Sequence, residues 1–474
     1  MIIDNDRPIY HHLPNEGLLW DPAAAIFWEG RYHVFYLHSS WENAGPPRRA
    51  DGYIYKAWAH ISSADLINWE SYSDALQRGQ TGNLFLFNGT PTIIYPHPDR
   101  TGDSAVAINP ERNLENWEQF SVNPVRKADP KTGQDVTAWQ EGQWCYALTL
   151  TRDLINGGDT QHLYRSEDLQ SWEHMHQFYT SERRWTHEDD DCACPDFFQM
   201  GDRWMLLHFC HRTTAKGRYG RRAGSRYYLG RYENNRFYPE SFDRINWPNG
   251  NIHAPRSMLD DQGRRLLFTN LSEGRTESAS EKSGWSGVLG LPVIMTLAPE
   301  GDSILYEPVP ELQALRTDPW EKQALTIEPN TEVLLPVGGD CMELNLEFEP
   351  KEATEFGVKV RCAPDGSEET RISFINEPRK IRIDYSKSSL RDDLDSSMFG
   401  GIQEASLKLA KGENIKLRIF LDRSVLEVFA NNQRYLAQRI YPSQKDSLGI
   451  KLFTRGGSAL CTSAKTWTMK ATNH

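Results

Sequence analysis

The hydrophobic pattern of the first 300 residues consists of short runs in which apolar and polar positions alternate. Five of these runs follow a glycine or tight turn and are rich in aromatic residues: EGRYHVFYLH, NGTPTIIYPH, EGQWCYALTL, GDRWMLLHF and GRRLLFTNL. Alternation of period two, bounded by Gly, Asn and Asp, is typical of antiparallel strands joined by hairpin turns. Helical periodicity is almost absent, so the sequence predicts an all-β protein.

The five runs recur at a nearly constant interval. Their glycines are separated by 59, 53, 59 and 62 residues and stand at Gly30, Gly89, Gly142, Gly201 and Gly263. A second element that ends near a tryptophan recurs between them, as SSADLINWE, ERNLENWE and SEDLQSWE. A unit of about 55 residues repeated five times is most economically a propeller of five four-stranded blades. We therefore predict a five-bladed β-propeller over residues 1–310.

The pattern changes after about residue 310. We expect a linker over 311–329, with a short connecting helix in ELQALRTDPWEKQAL. From 330 to 474, alternating runs such as CMELNLEFEP and SLGIKLFTRGG predict a β-sandwich. Candidate catalytic groups are few in this part, so we expect the sandwich to stabilise the propeller rather than to take part in chemistry.

Composition excludes several classes of function. The formal net charge of −12 argues against a general nucleic-acid binder, and no apolar run is long enough to span a membrane. The seven scattered cysteines predict neither a disulfide framework nor a paired zinc site. The start MIIDNDRPIYHH lacks the basic and apolar regions of a secretion signal, which favours a cytoplasmic location, with a processed secreted form as the alternative.

Two acids and one alanine occupy nearly the same position in three of the repeats. Asp21, Asp135 and Ala193 precede the glycines of blades one, three and four by 9, 7 and 8 residues. Equivalent positions of successive blades converge on the central channel of a propeller, so we expect these residues at one mouth of the channel. Two carboxylates that flank a scissile bond are the minimal equipment for glycoside hydrolysis, and a third can bind sugar hydroxyls.

Several motifs resemble glycoside hydrolase family 32, the invertases, inulinases and levanases. The stretch LLWDPAAA is similar to the family's Asn-Asp-Pro-Asn-Gly motif, GQDVTAW to its Arg-Asp-Pro, and NIHAPRSM to its Tyr-Ala-Pro-Gln. LRIFLDRSVLEVFANNQRYLAQRIYP closely resembles the signature of its C-terminal sandwich. The resemblance covers nearly the whole chain in order. It implies a retaining hydrolase of β-fructofuranosides that needs no cofactor.

The resemblance also assigns roles to individual residues. Asp21 falls on the family's nucleophile, and Asp135 falls on its transition-state stabiliser. In DDDCACPDFF, Ala193 stands where the family has the glutamate that serves as general acid and base. Since alanine cannot donate a proton, the resemblance implies that this chain hydrolyses ordinary fructosides slowly.

Three interpretations of Ala193 stay open. The first is a deliberate Glu-to-Ala change made to trap substrate. The second is a natural enzyme whose acid has moved, and Asp191 is then the first candidate because residues i and i+2 of a strand face the same way. Glu188 and Asp189 are further candidates. The third is a protein that binds or senses carbohydrate without cleaving it.

Five residues are predicted to contact the sugar, and they are Trp20, Tyr53, Trp58, Asn83 and Gln134. Trp20 and Gln134 replace the family's Asn and Arg before the two acids. The three aromatic rings are expected to form a platform for one sugar face, and the alternative is that the tryptophans belong to the blade core. The sequence leaves open which fructoside and linkage are used, whether the reaction is hydrolysis or transfer, and the oligomeric state.

A metal-dependent hydrolase is a further alternative, suggested by THEDDDCAC. His187, Cys192 and Cys194 are candidate ligands there, yet no distant ligand follows at a recognisable spacing. The prediction is therefore a protein without metal or cofactor, whose partner is a carbohydrate and neither nucleic acid nor membrane.

Overall fold

The computed structural model describes residues 4–41, 56–100, 102–127, 132–151, 160–180, 185, 192–212, 219–395 and 401–472. Within these ranges the fold is a five-bladed β-propeller followed by a two-sheet β-sandwich, which confirms the predicted fold class. In the same ranges, no helix is long and apolar enough to cross a membrane.

The blades are antiparallel sheets formed by consecutive strands. Blade one contains β1 (Gly17–Trp28), β2 (Arg31–Ser39), β3 (Lys56–Ser63) and β4 (Glu70–Gly79). Blade two contains β5 (Asn83–Phe87), β6 (Thr90–Pro96), β7 (Ser104–Ile108) and β8 (Glu118–Gln119). Blade three contains β9 (Thr132–Glu141), β10 (Trp144–Thr151), β11 (Thr160–Ser166) and β12 (Glu173–Thr180). Blade four contains β13 (Ala193–Met200), β14 (Arg203–Arg212), β15 (Tyr219–Glu233) and β16 (Arg236–Arg244).

Blade five is interrupted by the segment that closes the ring. Its sheet contains β17 (Ile252–Leu259), β18 (Arg265–Leu271), β20 (Val288–Leu289), β21 (Val293–Leu297) and β22 (Ile304–Pro308). The segment between β18 and β20 contains α1 (Glu277–Ser283) and β19 (Trp285–Ser286), and β19 pairs in parallel with β1 of blade one. The first strands β1, β5, β9, β13 and β17 contact one another in turn, and β17 returns to β1. These five strands therefore surround the central axis.

The repeated sequence elements coincide with repeated turns. All five repeat glycines lie in the hairpin between the first and second strand of a blade, with φ between 60° and 80°. Glycine adopts this left-handed conformation without the strain that a Cβ brings. The second element forms the turn between the third and fourth strands. There Asp65 accepts hydrogen bonds from the backbone N–H groups of Ile67 and Asn68, and Asp168 of blade three makes the equivalent bonds.

The C-terminal sandwich has two six-stranded sheets. One contains β23 (Arg316–Ile327), β25 (Cys341–Glu349), β30 (Ile415–Asp422), β31 (Val425–Ala430), β32 (Arg434–Arg439) and β34 (Ala459–Met469). The other contains β24 (Glu332–Gly338), β26 (Glu355–Cys362), β27 (Glu369–Ile375), β28 (Lys380–Lys387), β29 (Ile402–Ser406) and β33 (Gly449–Arg455). Their facing apolar side chains form a separate core.

The predicted linker over 311–329 is wrong in its extent. A 3-10 helix at Pro310–Leu315 links the last blade to the sandwich, and β23 follows it directly as an edge strand paired with β34. Most β23 side chains are exposed. An exposed edge strand buries few side chains, so its sequence lacks the alternation by which the other strands were predicted.

The family-like sandwich signature holds the start of the propeller. The backbone N–H groups of Ile9, Tyr10 and His11 all donate to the carboxylate of Asp422, at 2.8–2.9 Å. The His11 ring lies 2.9 Å from Asp422 and 3.2 Å from Glu427, and all three side chains are fully buried. Burial alone lowers the pKa of His11, but the two carboxylates outweigh it and raise the pKa to about 9.

This buried imidazolium predicts a pH-dependent stability. Because the folded-state pKa lies above the ordinary value of about 6.5, the stabilisation is complete below pH ~6.5 and is lost as the pH rises through about 9. We expect the free energy of unfolding to fall by about 3 kcal/mol across that window. Urea unfolding at a series of pH values measures it. His11→Gln should flatten this part of the profile, and an equally steep fall in the variant would contradict the assignment.

Candidate active site

Two carboxylates from different blades meet at one sulfur atom. Asp21 on β1 and Asp135 on β9 each place Oδ2 near Cys194 Sγ on β13, at 3.7 and 3.6 Å. The Cys194 backbone N–H donates to Asp135 Oδ2 at 2.9 Å, and the Thr81 hydroxyl donates to Asp21 Oδ2 at 2.9 Å. Asp21, Asp135 and the strand that begins at Ala193 therefore lie together at the ring of first strands.

The thiol between the carboxylates is a neutral donor. Burial, and then the nearby charges of Asp135 and Asp21, raise the pKa of Cys194 well above its usual range. A protonated thiol donates a weak hydrogen bond to a carboxylate, whereas a thiolate would repel it. Cys194 therefore orients both acids without competing with them as a nucleophile.

The first strands are irregular where they carry these residues. The pairing register shifts between Leu19 and Ala24 in β1, between Ala193 and Asp196 in β13, and between His253 and Arg256 in β17. Cys192, Cys194 and Ala254 have left-handed φ values of 51°, 49° and 43°. Bulges and strained residues of this kind are common beside active sites, because they turn side chains away from the regular sheet direction.

Ala193 is the first residue of β13, and its methyl group lies in a small apolar cluster. Its neighbours in that cluster are Leu150, Cys194, Phe209 and Ala254, and only 1% of Ala193 is exposed. The position predicted to carry the acid therefore presents no ionisable group. The candidate substitutes Asp191, Glu188 and Asp189, and the candidate metal ligand His187, lie outside the described residues.

Two residues beside Asp21 were not predicted. His253 Nε2 lies 3.5 Å from Asp21 Oδ1, and the His253 ring packs on Phe209 with centroids 3.9 Å apart. Lys56 Nζ lies 4.4 Å from the centroid of the Trp20 ring. Burial lowers the pKa of Lys56, while the charges of Asp21 and Asp135 oppose that change. His253 lies inside the family-like motif NIHAPRSM, which was the available signal for it, and Lys56 lies two residues before the predicted contact residue Trp58.

A buried arginine joins three blades beneath the acids. Arg256 donates from Nη1 to the Pro195 carbonyl at 2.7 Å and from Nη2 to the Gly82 carbonyl at 2.8 Å. Asp196 accepts from the Ser257 backbone N–H at 2.9 Å and from its hydroxyl at 2.8 Å. Blades two, four and five are thus fixed to each other directly around β13, which limits the movement of Cys194.

Only part of the predicted sugar-contact set lies where a sugar can reach. Trp20 is half-buried and lines a cavity with Asp21. Trp58 is fully buried in a blade core and donates to the Gln80 carbonyl, so its predicted place in an aromatic platform is wrong. The Asn83 amide exchanges two hydrogen bonds with the backbone of Ala138, which makes it a link between blades two and three. Tyr53 and the side chain of Gln134 lie outside the described residues.

A cavity of about 470 Å³ extends from Asp21 toward the sandwich, within the ~300–1,000 Å³ typical of small-molecule sites. The residues that line it are Leu18, Leu19, Trp20, Asp21, Trp41, His253, Asn270, Ser272, Glu273, Arg275, Glu277, Ser280, Ser286, Gly287 and Asp395. Among the described residues, Trp20 Nε1, Trp41 Nε1 and Asn270 Oδ1 are buried without a hydrogen-bond partner. Across the same ranges, no group of three or more His, Cys, Asp or Glu residues is arranged to hold a metal ion.

Comparison with known proteins gives one consistent result. Residues 11–308 match the N-terminal domain of glycosyl hydrolases family 32, and residues 311–468 match the C-terminal part of that family. A levanase of Bacillus subtilis is 26% identical over 95% of this chain and 68% of its own length. A sucrose-6-phosphate hydrolase of Zymomonas mobilis is 27% identical over 98% of this chain and 93% of its own. The crystal structure of fructan 1-exohydrolase IIa from Cichorium intybus has the same fold, with a TM-score of 0.85 at 20% identity, covering 100% of this chain and 99% of that one.

Proposed function

The chain belongs to glycoside hydrolase family 32, and we propose that it acts on β-fructofuranosides by a retaining mechanism with Asp21 as the nucleophile. The observation that carries this proposal is the meeting of the Asp21 and Asp135 carboxylates at Cys194 Sγ. The similar proteins include a levanase, a sucrose-6-phosphate hydrolase and fructan exohydrolases, which supports a fructoside as the substrate.

The first half of the proposed reaction forms a covalent intermediate. An Asp21 carboxylate oxygen attacks the anomeric carbon of the fructosyl unit, and the glycosidic C–O bond breaks as the new C–O bond forms. Asp135 lies against the same site and offers its carboxylate to the ring hydroxyls. Charge-assisted hydrogen bonds of this kind stabilise the oxocarbenium-like transition state. The leaving oxygen must take up a proton, and the buried methyl group of Ala193 has none to give.

The second half returns the nucleophile to its starting state. A water molecule attacks the anomeric carbon, loses a proton to a base, and releases fructose from Asp21 with net retention. The same glutamate performs both proton transfers in the family pattern, so Ala193 slows both halves. We therefore propose that this chain, as it stands, is an impaired hydrolase.

A second candidate function is binding of carbohydrate without cleavage. It is favoured by the Ala193 methyl group, which sits among Leu150, Phe209 and Ala254 as an ordinary apolar side chain. A binding protein needs the cavity and the oriented carboxylates but no proton donor. The two functions differ in whether a bond forms between Asp21 and the sugar.

An activated substrate separates the two functions. Fructosyl fluoride needs little protonation to lose its leaving group, so it should fructosylate Asp21 even with alanine at position 193. Because no base at 193 then activates water, the fructosyl-enzyme should accumulate. Mass spectrometry of the digested protein should find one fructosyl unit on the peptide that contains Asp21.

Azide provides the control for this trapping experiment. It attacks without needing a base, so it should shorten the lifetime of the intermediate and yield a fructosyl azide. Sucrose should give no label, because its leaving group requires a proton. Saturable binding of fructosides without any fluoride release would favour the binding protein, and a label on a residue other than Asp21 would refute the proposed nucleophile.

A further inference from the structure

One residue of the sandwich reaches the cavity that holds Asp21. Asp395 follows the segment 388–394, which connects β28 toward β29, and it lines the cavity together with Trp20, Asp21 and His253 from the propeller. The sequence did not predict this, since the sandwich was expected to serve stability alone. The cavity is therefore built by both domains.

The segment that carries Asp395 is fixed to the propeller by backbone contacts. The Asp395 N–H donates to the Gly274 carbonyl at 3.0 Å, and the Thr276 N–H donates to the Asp393 carbonyl at 2.9 Å. Arg275 and Leu394 form an isolated antiparallel bridge between these two bonds. At the other end of the segment, the Leu390 N–H donates to the carboxylate of Glu368 at 3.0 Å. Asp395 thus has a defined position relative to blade five.

Arg275, which follows Gly274 in the chain, makes its side-chain hydrogen bonds with other residues of the propeller. Arg275 is 3% exposed, and it donates to Glu273, to the Ser283 hydroxyl and to the Trp285 carbonyl. Burial raises the pKa of Glu273, but the positive charges of Arg439 and Arg275 outweigh it and hold this pKa well below its usual range. Glu273 and Arg275 of this ionised cluster line the cavity.

The cavity lining also contains an acceptor without a hydrogen-bond partner among the described residues, on the strand beside His253. Asn270 on β18 is 5% exposed, lines the cavity, and its Oδ1 accepts no hydrogen bond among the described residues. Ser272 is its neighbour on the lining. A buried amide oxygen left without a donor costs free energy, so a site of this kind is built to receive one.

From these contacts we propose that Asp395 is a specificity-determining residue, which binds hydroxyl groups of the leaving-group sugar while the fructosyl unit lies at Asp21. A carboxylate accepts hydrogen bonds from two vicinal hydroxyls. The Asn270 oxygen, opposite His253 in the sheet, can accept from a hydroxyl nearer Asp21. Trp20, which also lines the cavity, offers an apolar ring face. The inference rests on the proposed function and extends it from the fructosyl unit to the second sugar.

Binding measurements test this inference without requiring turnover. We expect Asp395→Asn to weaken the calorimetric Kd of 1-kestose by about 10- to 100-fold, the usual effect of losing hydrogen bonds to a charged group. The Kd of free fructose, which has no leaving-group sugar, should not change. Asp392→Asn is the matched control, because Asp392 is an exposed aspartate of the same segment and does not line the cavity.

The outcomes separate the two proposals. An unchanged Kd of 1-kestose in Asp395→Asn, or an equal loss for 1-kestose and fructose, overturns the role of Asp395 while the proposed function stands. If the unaltered chain binds neither sugar, the proposed function fails, and the inference falls with it. A melting temperature of Asp395→Asn equal to that of Asp392→Asn excludes a general loss of structure.

Discussion

Replacing Ala193 with glutamate is expected to raise the rate of sucrose or 1-kestose hydrolysis by about 10²- to 10⁴-fold, the usual contribution of a positioned acid. The reason is geometric. Position 193 directly precedes Cys194, whose N–H and Sγ already contact Asp135 and Asp21. A longer side chain there can bring a carboxyl group to the leaving oxygen. Steady-state kinetics of the two proteins over a range of pH provide the measurement.

A second variant serves as a control for the loss of stability that a larger side chain at position 193 causes. Ala193 is buried against Leu150, Phe209 and Ala254, and adding atoms to such a cluster typically costs about 1–3 kcal/mol. Ala193→Gln adds the same bulk without a transferable proton. We expect Ala193→Gln to match Ala193→Glu in melting temperature and to gain no activity. Equal gains in both variants would show that shape, and not proton transfer, had changed the rate.

A displaced acid predicts a different result. If Asp191 already protonates the leaving group, the unaltered chain should hydrolyse natural sugars rapidly. Asp191→Asn should then abolish that activity, and Ala193→Glu should raise the rate only slightly. This combination would refute the vacant-acid interpretation of Ala193. Glu188→Gln and Asp189→Asn extend the comparison to the remaining acids of the same stretch.

Replacing Asp21 with asparagine in the Ala193→Glu background is expected to reduce kcat by on the order of 10⁴-fold or more, the scale on which hydrolases lose activity with their covalent nucleophile. An amide is a poor nucleophile and cannot carry the fructosyl unit. The amide oxygen can still accept a hydrogen bond from the Thr81 hydroxyl, which donates to Asp21 at 2.9 Å in the unaltered chain. The fold should therefore survive, and the initial rate on sucrose is the measurement.

An external nucleophile distinguishes a chemical role for Asp21 from a structural one. In Asp21→Gly, azide or formate can occupy the space of the lost carboxylate and attack the anomeric carbon of an activated fructoside. Attack by azide in place of Asp21 yields a fructosyl azide of inverted configuration. Retained product in the Asp21 variants, or activity close to that of the parent, would contradict the assignment.

The repeats and turns were predictable because they depend on local chemistry. A glycine is required wherever a hairpin needs a positive φ, so Gly30 and its four equivalents mark the blades directly. Asp65 caps its turn through hydrogen bonds to residues only two and three positions away. Equivalent positions in repeats converge, which is why Asp21 and Asp135 could be placed together without any contact being known.

Other features depend on contacts between distant parts of the chain, and the pattern of residues does not encode them. Trp58 resembles a sugar platform in sequence, but the neighbouring blade covers it completely. Strand β23 was not predicted, because most side chains of this edge strand are exposed and its sequence does not alternate between apolar and polar positions. Asp395 joins the cavity because its own N–H bonds to Gly274 and the Asp393 carbonyl bonds to Thr276, more than a hundred residues earlier. A periodic pattern of residues does not predict such a long-range contact.

The hydrogen bonds between Asp422 and the first residues of the propeller have a consequence for biosynthesis. His11 and Asp422 are 411 residues apart, and a ribosome that adds about 5–20 residues per second needs roughly 20–80 s to make that stretch. During this time the N–H groups of residues 9–11 have no carboxylate to bind. The nascent propeller must therefore wait for the sandwich before its first residues are secured, and a ribosome that stalls before Asp422 leaves this end open to proteases and chaperones.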